Sequence, residues 1–253
     1  MFGMMLLLLP MSLRAAEKDS LQVLWVGNSY TFFNDLPATV RDIAASQDLK
    51  LAVTRVLKGG EKLSGHWQNP VLQKALKRGG WDYVVLQEFS STPAYSTESV
   101  ARDIYPYAHQ IDSMAKAHSP NVHVIYYMTW GHKYGNVRQT DYPLDDDYEL
   151  MQERIKTAYI EMAWMNHSWC APVGMAWQQV RRERPELQLY TADCFHPSPL
   201  GSYLAANVIV TTILQRPYQT EVTCDLPAET AEYLQQVGQQ TVLNNLRLLN
   251  IKQ

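Results

Sequence analysis

Short apolar runs recur along this chain with helix-patterned stretches between them, and that alternation leaves few folds open. Residues 21–26, 83–86 and 122–127 are largely apolar and read as strands buried on both faces. Residues 50–56 alternate and run out into Gly59-Gly60, and 169–173 make a fifth, shorter strand. Helical patterns occupy 36–46, 69–77, 99–117 and 148–166, and three more at 175–184, 200–214 and 228–249 close the chain. A long polar loop rich in Gly, Asp and Tyr spans 131–147.

Strands joined through helices must run parallel, because a parallel neighbour is reached only by a long crossover. Right-handed crossovers then give an α/β fold, a three-layer α/β/α sandwich around a five-stranded parallel sheet in flavodoxin-like order. The chain of 253 residues suffices for one large core, and with no internal repeat or linker, residues 21–250 read as a single domain. Hydrophobic residues at 46% and charged residues at 19% exclude a disordered chain. A net charge of −3 gives no electrostatic basis for binding nucleic acid or an anionic membrane. The basic cluster Arg181-Arg182-Glu183-Arg184 reads as the solvated end of a helix.

The first twenty residues have a different character. The apolar stretch from Met4 to Met11 is too short to span a bilayer, and Ala15-Ala16 and a polar Glu17-Lys18-Asp19-Ser20 follow it. The pattern predicts a signal peptide over residues 1–16, export to the periplasm or medium, and no stable membrane insertion. Cys170, Cys194 and Cys224 fit an exported protein with at most one disulfide, and they lack metal-ligand spacing.

In an open parallel sheet, ligands bind beyond the carboxyl ends of the strands. The first strand ends there in Gly27-Asn28-Ser29-Tyr30-Thr31, the second in Gly59-Gly60, the third in Gln87-Glu88 and the fourth in Thr129-Trp130-Gly131. A serine at such a tip has its hydroxyl in the cleft beside free N–H groups, which suits a nucleophile with an oxyanion site. A serine that merely satisfies a turn would sit in the same place. A nucleophile needs a base, and His196 stands in Asp193-Cys194-Phe195-His196-Pro197-Ser198-Pro199, a rigid loop before an apolar helix. The three-residue spacing lets one tight turn bring Asp193 to Nδ1 of the imidazole and leaves Nε2 for the serine proton.

Together these blocks resemble the SGNH (GDSL-like) hydrolases, in a bacterial branch with a Gly-Asn-Ser-Tyr-Thr first block, from about Leu21 to Leu214. The resemblance implies a flavodoxin-like fold and a cofactor-free esterase acting on lipid or carbohydrate esters. It assigns Ser29 as nucleophile and oxyanion N–H donor, Gly60 (or Gly59 beside it) as second donor, His196 as base and Asp193 as its orienting acid. The family's third block, Gly-x-Asn-Asp, supplies an asparagine donor that this chain lacks. Gln87 offers the same amide one methylene further out and is the expected third donor. Asn28 replaces the aspartate of the Gly-Asp-Ser-Leu form.

Other mechanisms lack their signatures. There is no Gly-x-Ser-x-Gly elbow, Gly-rich phosphate loop or His-Glu-x-x-His, so no metal site or cofactor is expected. His66 beside Trp67 is a candidate cleft residue, with packing on the tryptophan as the plainer reading. Trp130, in Trp130-Gly131-His132-Lys133-Tyr134, is a candidate sugar platform. Glu88 reads as a solvated strand-end carboxylate, and Asp145-Asp146-Asp147 as an acidic cap on the next helix rather than a calcium site. The expected function is therefore an exported serine esterase, its substrate a small-molecule or polysaccharide ester and most plausibly a carbohydrate O-acetyl group. The alternatives are a lipid or short-chain acyl esterase, or a non-catalytic carbohydrate-binding protein on the same fold.

Overall fold

The computed structural model of the chain describes residues 19–135 and 147–251. The proposed signal peptide, and Asp145 and Asp146 of the acidic triplet, lie outside these residues. Five parallel strands form one sheet in the order β2-β1-β3-β4-β5, the flavodoxin-like order. They are β1 (Leu21–Gly27), β2 (Leu51–Leu57), β3 (Tyr83–Leu86), β4 (His123–Tyr127) and β5 (Trp169–Ala171). The inner strands are apolar because both faces of the sheet are covered, and Leu24, Trp25, Val84, Val85 and Ile125 are wholly buried.

Two groups of helices cover those faces. One comprises α2 (Leu36–Ala45), α8 (Val173–Glu183), α9 (Pro199–Leu214) and α10 (Ala228–Leu243), packed around α9. The other comprises α3 (Leu63–Gln68), α4 (Pro70–Arg78), α5 (Thr97–Asp103), α6 (Tyr105–His118) and α7 (Tyr148–Met165), with α6 against α3, α4, α5 and α7. No helix among the described residues is long and apolar enough to cross a membrane.

Three departures from the sequence pattern have local causes. The single helix expected over 99–117 is two, broken at Ile104, because Pro106 lacks an N–H and its ring clashes with the carbonyl four residues back. A one-turn helix, α1 (Ser29–Phe32), precedes α2, and the chain reverses between them through Asn34 and Asp35, both left-handed with φ 51° and 48°. Asn and Asp are the non-glycine residues that tolerate this conformation best. The three cysteines are all free, so the single disulfide allowed by the sequence does not form.

Candidate active site

The turn that carries Ser29, the candidate nucleophile, is built at the switch point of the sheet, where β1 has β2 on one side and β3 on the other. β1 stops at Gly27, Asn28 caps α1, and Ser29 is its first residue. The Asn28 side chain does two jobs. Its Oδ1 accepts from the Tyr30 N–H at 3.2 Å, and its Nδ2 donates to the Glu61 carbonyl at 2.9 Å. An aspartate could do only the first, so this Gly-Asn-Ser block requires an amide. The N–H groups of Asn28, Tyr30, Thr31 and Phe32 all have protein acceptors, whereas that of Ser29 has none among the described residues. It stands as a free donor at a helix start.

The second glycine block is fastened to the same place. Glu61 N–H bonds the Lys58 carbonyl at 3.1 Å, closing a turn with Gly60 at its third position. There φ is 67°, which a side chain would strain. Lys58 N–H donates to the Gly27 carbonyl at 3.1 Å, and with Asn28 on Glu61 both ends of the turn are tied beside Ser29. The Gly59 and Gly60 N–H groups have no protein acceptor among the described residues.

The candidate base, His196, arrives from the other end of the chain. Thr191 N–H bonds the His196 carbonyl and Ser198 N–H the Leu189 carbonyl, each at 2.9 Å, pinching residues 189–198 into a narrow loop. Asp193 sits at its tip, and Ser198 begins α9 by capping the Gly201 N–H. Asp193 Oδ2 lies 2.7 Å from Nδ1 of His196, and His196 Nε2 lies 2.8 Å from Ser29 Oγ. Asp193 Oδ1 also accepts from the N–H groups of Phe195 (3.0 Å) and His196 (2.9 Å) and from the Thr191 hydroxyl (2.8 Å). Partial burial pushes this carboxyl up. The four hydrogen bonds, that of His196 first, outweigh it and hold Asp193 well below the usual carboxylate range. The result is a continuous chain from carboxylate through imidazole to hydroxyl, the order in which an imidazole can draw a serine proton.

The four remaining assignments fall elsewhere. Gln87 is wholly buried beneath the nucleophile turn. Its Oε1 accepts the Asn28 N–H at 2.9 Å and the Thr31 hydroxyl at 2.8 Å, and its Nε2 donates to the Glu88 carbonyl. The Asn28 N–H can only donate, which fixes the amide's orientation; one Nε2 hydrogen goes to the Glu88 carbonyl, and the wholly buried side chain does not open onto the cleft. Gly27 is the matching requirement, since a Cβ there would come within 2.6 Å of both Gln87 Oε1 and Thr31 Oγ1. Gln87→Ala would orphan two buried donors. It is expected to lower unfolding stability by about 2–5 kcal/mol in urea titrations, with far less loss of turnover in the folded fraction than Ser29→Ala causes.

His66 is buried away from the cleft, and its Nε2 bonds the Gly27 carbonyl at 2.9 Å. A carbonyl only accepts, so the proton is on Nε2. Burial lowers this imidazole's pKa, against the pull of that bond. Glu88 is not solvated. It is buried, and its carboxylate accepts from Leu63 N–H at the start of α3, Phe89 N–H and the Thr92 hydroxyl at 2.7–3.0 Å. Burial raises its pKa against those bonds. Trp130 is also fully buried and is no open platform. It stacks between Tyr30 (4.6 Å) and Trp177 (3.9 Å), and its Nε1–H holds the Phe195 carbonyl at 3.0 Å. It thus braces the residue after Ser29 and the residue before His196 at once. Asp147 caps α7 through the Glu149 N–H at 2.8 Å, as an acidic cap should.

Sequence reasoning missed Phe33 and Asn34. Phe33 lies flat on the His196 ring, with centroids 4.2 Å apart and planes 1° from parallel. Asn34 Nδ2 reaches the Pro197 carbonyl at 3.1 Å and Ser202 Oγ at 2.8 Å. The only local signal was an Asn-Asp pair between two helical patterns, which marks a reversal but not its partner.

Comparison with solved structures agrees with this arrangement of strands. A protein from Slackia heliotrinireducens, described as a candidate SGNH hydrolase, is 29% identical, with a TM-score of 0.62 over 77% of this chain and all of the other. The chain has the fold of the SGNH (GDSL-like) hydrolases. A DUF4886 family protein from Bacteroides uniformis has the same SGNH-type fold, with 18% identity and a TM-score of 0.72 over 92% of this chain and 97% of its own. So does an acetyl-xylooligosaccharide esterase from Geobacillus stearothermophilus, with 14% identity and a TM-score of 0.55 over 79% and 97%. No protein-family model matches the chain, and no curated protein does.

Proposed function

We propose that this protein is an exported serine esterase of the SGNH type that removes a small acyl group, acetyl, from a carbohydrate. The observation that carries the reading is the hydrogen-bonded chain Asp193–His196–Ser29, with Ser29 Oγ at 2.8 Å from the imidazole, at the switch point of the sheet. In this reading Ser29 Oγ attacks the ester carbonyl carbon as Nε2 of His196 takes its proton. The tetrahedral oxyanion is held by the N–H groups of Ser29 and Gly60, two backbone donors, with Gln87 below them as support. His196 returns the proton to the leaving alcohol. Water, deprotonated by the same imidazole, then releases the acid and restores Ser29.

The acetyl–carbohydrate preference is supported by the fold shared with the acetyl-xylooligosaccharide esterase and by the export-type N-terminus. A fluorophosphonate probe is expected to label Ser29, and acetylated xylooligosaccharides and aryl acetates to be hydrolysed faster than aryl esters of long acids. No labelling, with binding of the sugar retained, would instead identify a carbohydrate-binding protein on this fold. N-terminal sequencing of the exported protein is expected to begin near Ala16 or Glu17.

A further inference from the structure

Asp193 and His196 share one loop tip three residues apart, so they move together. Their hydrogen bond orients the imidazole within the loop but does not fix the loop against Ser29. That distance joins positions 167 residues apart, and it has to be held by contacts that cross between the two segments. One is the indole of Trp130 on the Phe195 carbonyl, from the end of β4. The others come from the nucleophile's own segment.

We infer that Phe33 and Asn34 are positioning residues that lock the His196 imbrication against Ser29, an inference that rests on the reading of these two as base and nucleophile. The chain leaves α1, and Asn34 and Asp35 reverse it in the left-handed region before α2 begins. Had α1 run on into α2, neither side chain would meet the histidine loop where it does. With the reversal, Asn34 Nδ2 donates to the Pro197 carbonyl and to Ser202 Oγ, gripping the residue after His196 and the first turn of α9. Both amide hydrogens are used, so an aspartate cannot replace it. Phe33 meanwhile lies parallel on the imidazole at 4.2 Å, and Tyr30 meets that ring at its edge, 5.8 Å away and 64° inclined. The two rings leave the imidazole one plane in which to lie, with Nε2 on Ser29.

The stack also acts selectively during the reaction. When His196 takes the serine proton its ring becomes a cation, and a phenyl face over a cation is attractive. Phe33 therefore favours the protonated ring formed on the way to the tetrahedral intermediate over the neutral ring of the resting site. Its loss should appear in kcat and not in KM.

Asn34→Gly, Asn34→Asp, Phe33→Leu and Phe33→Tyr are to be compared with wild type and Ser29→Ala on p-nitrophenyl acetate, at a temperature where circular dichroism shows every variant folded. Glycine keeps the left-handed backbone, so Asn34→Gly removes the grip without adding strain. The expected result is a fall in kcat of roughly 10–100-fold for Asn34→Gly, Asn34→Asp and Phe33→Leu, with KM within about twofold and Phe33→Tyr close to wild type. A kcat within about twofold of wild type for both Asn34→Gly and Phe33→Leu would overturn the inference. Proton NMR gives a readout that does not depend on turnover. The His196 ring C–H signals, assigned by their loss in His196→Gln, should be shifted upfield by the Phe33 ring in wild type and move back in Asn34→Gly. Unmoved signals in Asn34→Gly would overturn the inference even if the wild type hydrolysed no ester, an outcome that would separately defeat the proposed function.

Discussion

Ser29→Ala is expected to reduce ester hydrolysis by about 10⁴–10⁶ in kcat while leaving the fold intact. The hydroxyl is the only group of this residue that the proposed reaction consumes, and it meets His196 Nε2 at 2.8 Å in a half-buried site. Its removal deletes one hydrogen bond at the rim of the core. The cap that starts α1 belongs to Asn28, and the support beneath the turn belongs to Gln87, so both persist. The unfolding midpoint should therefore stay near wild type, and fluorophosphonate labelling should vanish. A Ser29→Ala protein that kept a tenth of its activity with unchanged unfolding would remove Ser29 as nucleophile.

Asp193→Asn is expected to cost about 10⁴ in kcat by a different route. The carboxylate uses Oδ1 to accept from the Phe195 and His196 N–H groups and the Thr191 hydroxyl, and Oδ2 to face Nδ1 of the imidazole. An asparagine keeps one oxygen, and the loop's two N–H groups will claim it. Its NH₂ then faces Nδ1, so that nitrogen becomes the acceptor and the imidazole proton sits on Nε2. An Nε2 that already carries a proton cannot take the one from Ser29.

The same substitution has a pH signature. The folded protein holds Asp193 well below the ordinary carboxylate value of about 3.9. A depressed folded value means that the carboxylate's stabilising contribution is fully present above the unfolded value and is lost as pH falls through the folded one. Between roughly pH 5 and pH 2, wild-type stability should fall more steeply than that of Asp193→Asn. Urea midpoints across that range measure the difference, and parallel curves would contradict the hydrogen-bonded, ionised Asp193 described here.

Two asparagines now explain features of the sequence that a motif leaves bare. Asn28 fastens the glycine turn to the nucleophile turn, and Asn34 fastens the histidine loop to the segment that follows α1. Each uses the amide as a donor to a backbone carbonyl on a remote segment, which a carboxylate cannot do. In both cases the residue type was visible, and its partner was not.

The parallel sheet, its helices and their order were written locally. Hydrophobic period is a property of a dozen neighbouring residues, and a helix between two buried strands compels a parallel crossover. The pairing of Asp193 with His196 was legible for the same reason, since three residues of spacing and one turn suffice to join them. The roles of Gln87, His66, Glu88 and Trp130 were decided by the tertiary structure. Gln87, Glu88 and Trp130 follow strand ends and His66 lies in α3; at each place a polar or amphipathic side chain has two outcomes, a place in the cleft or burial with its polar groups satisfied. Which has the lower free energy depends on donors and acceptors brought by other segments: the Asn28 N–H for Gln87, the Gly27 carbonyl for His66, the Leu63 N–H for Glu88 and the Phe195 carbonyl for Trp130. Those partners lie between 25 and 65 residues away in the chain, beyond the reach of any local pattern.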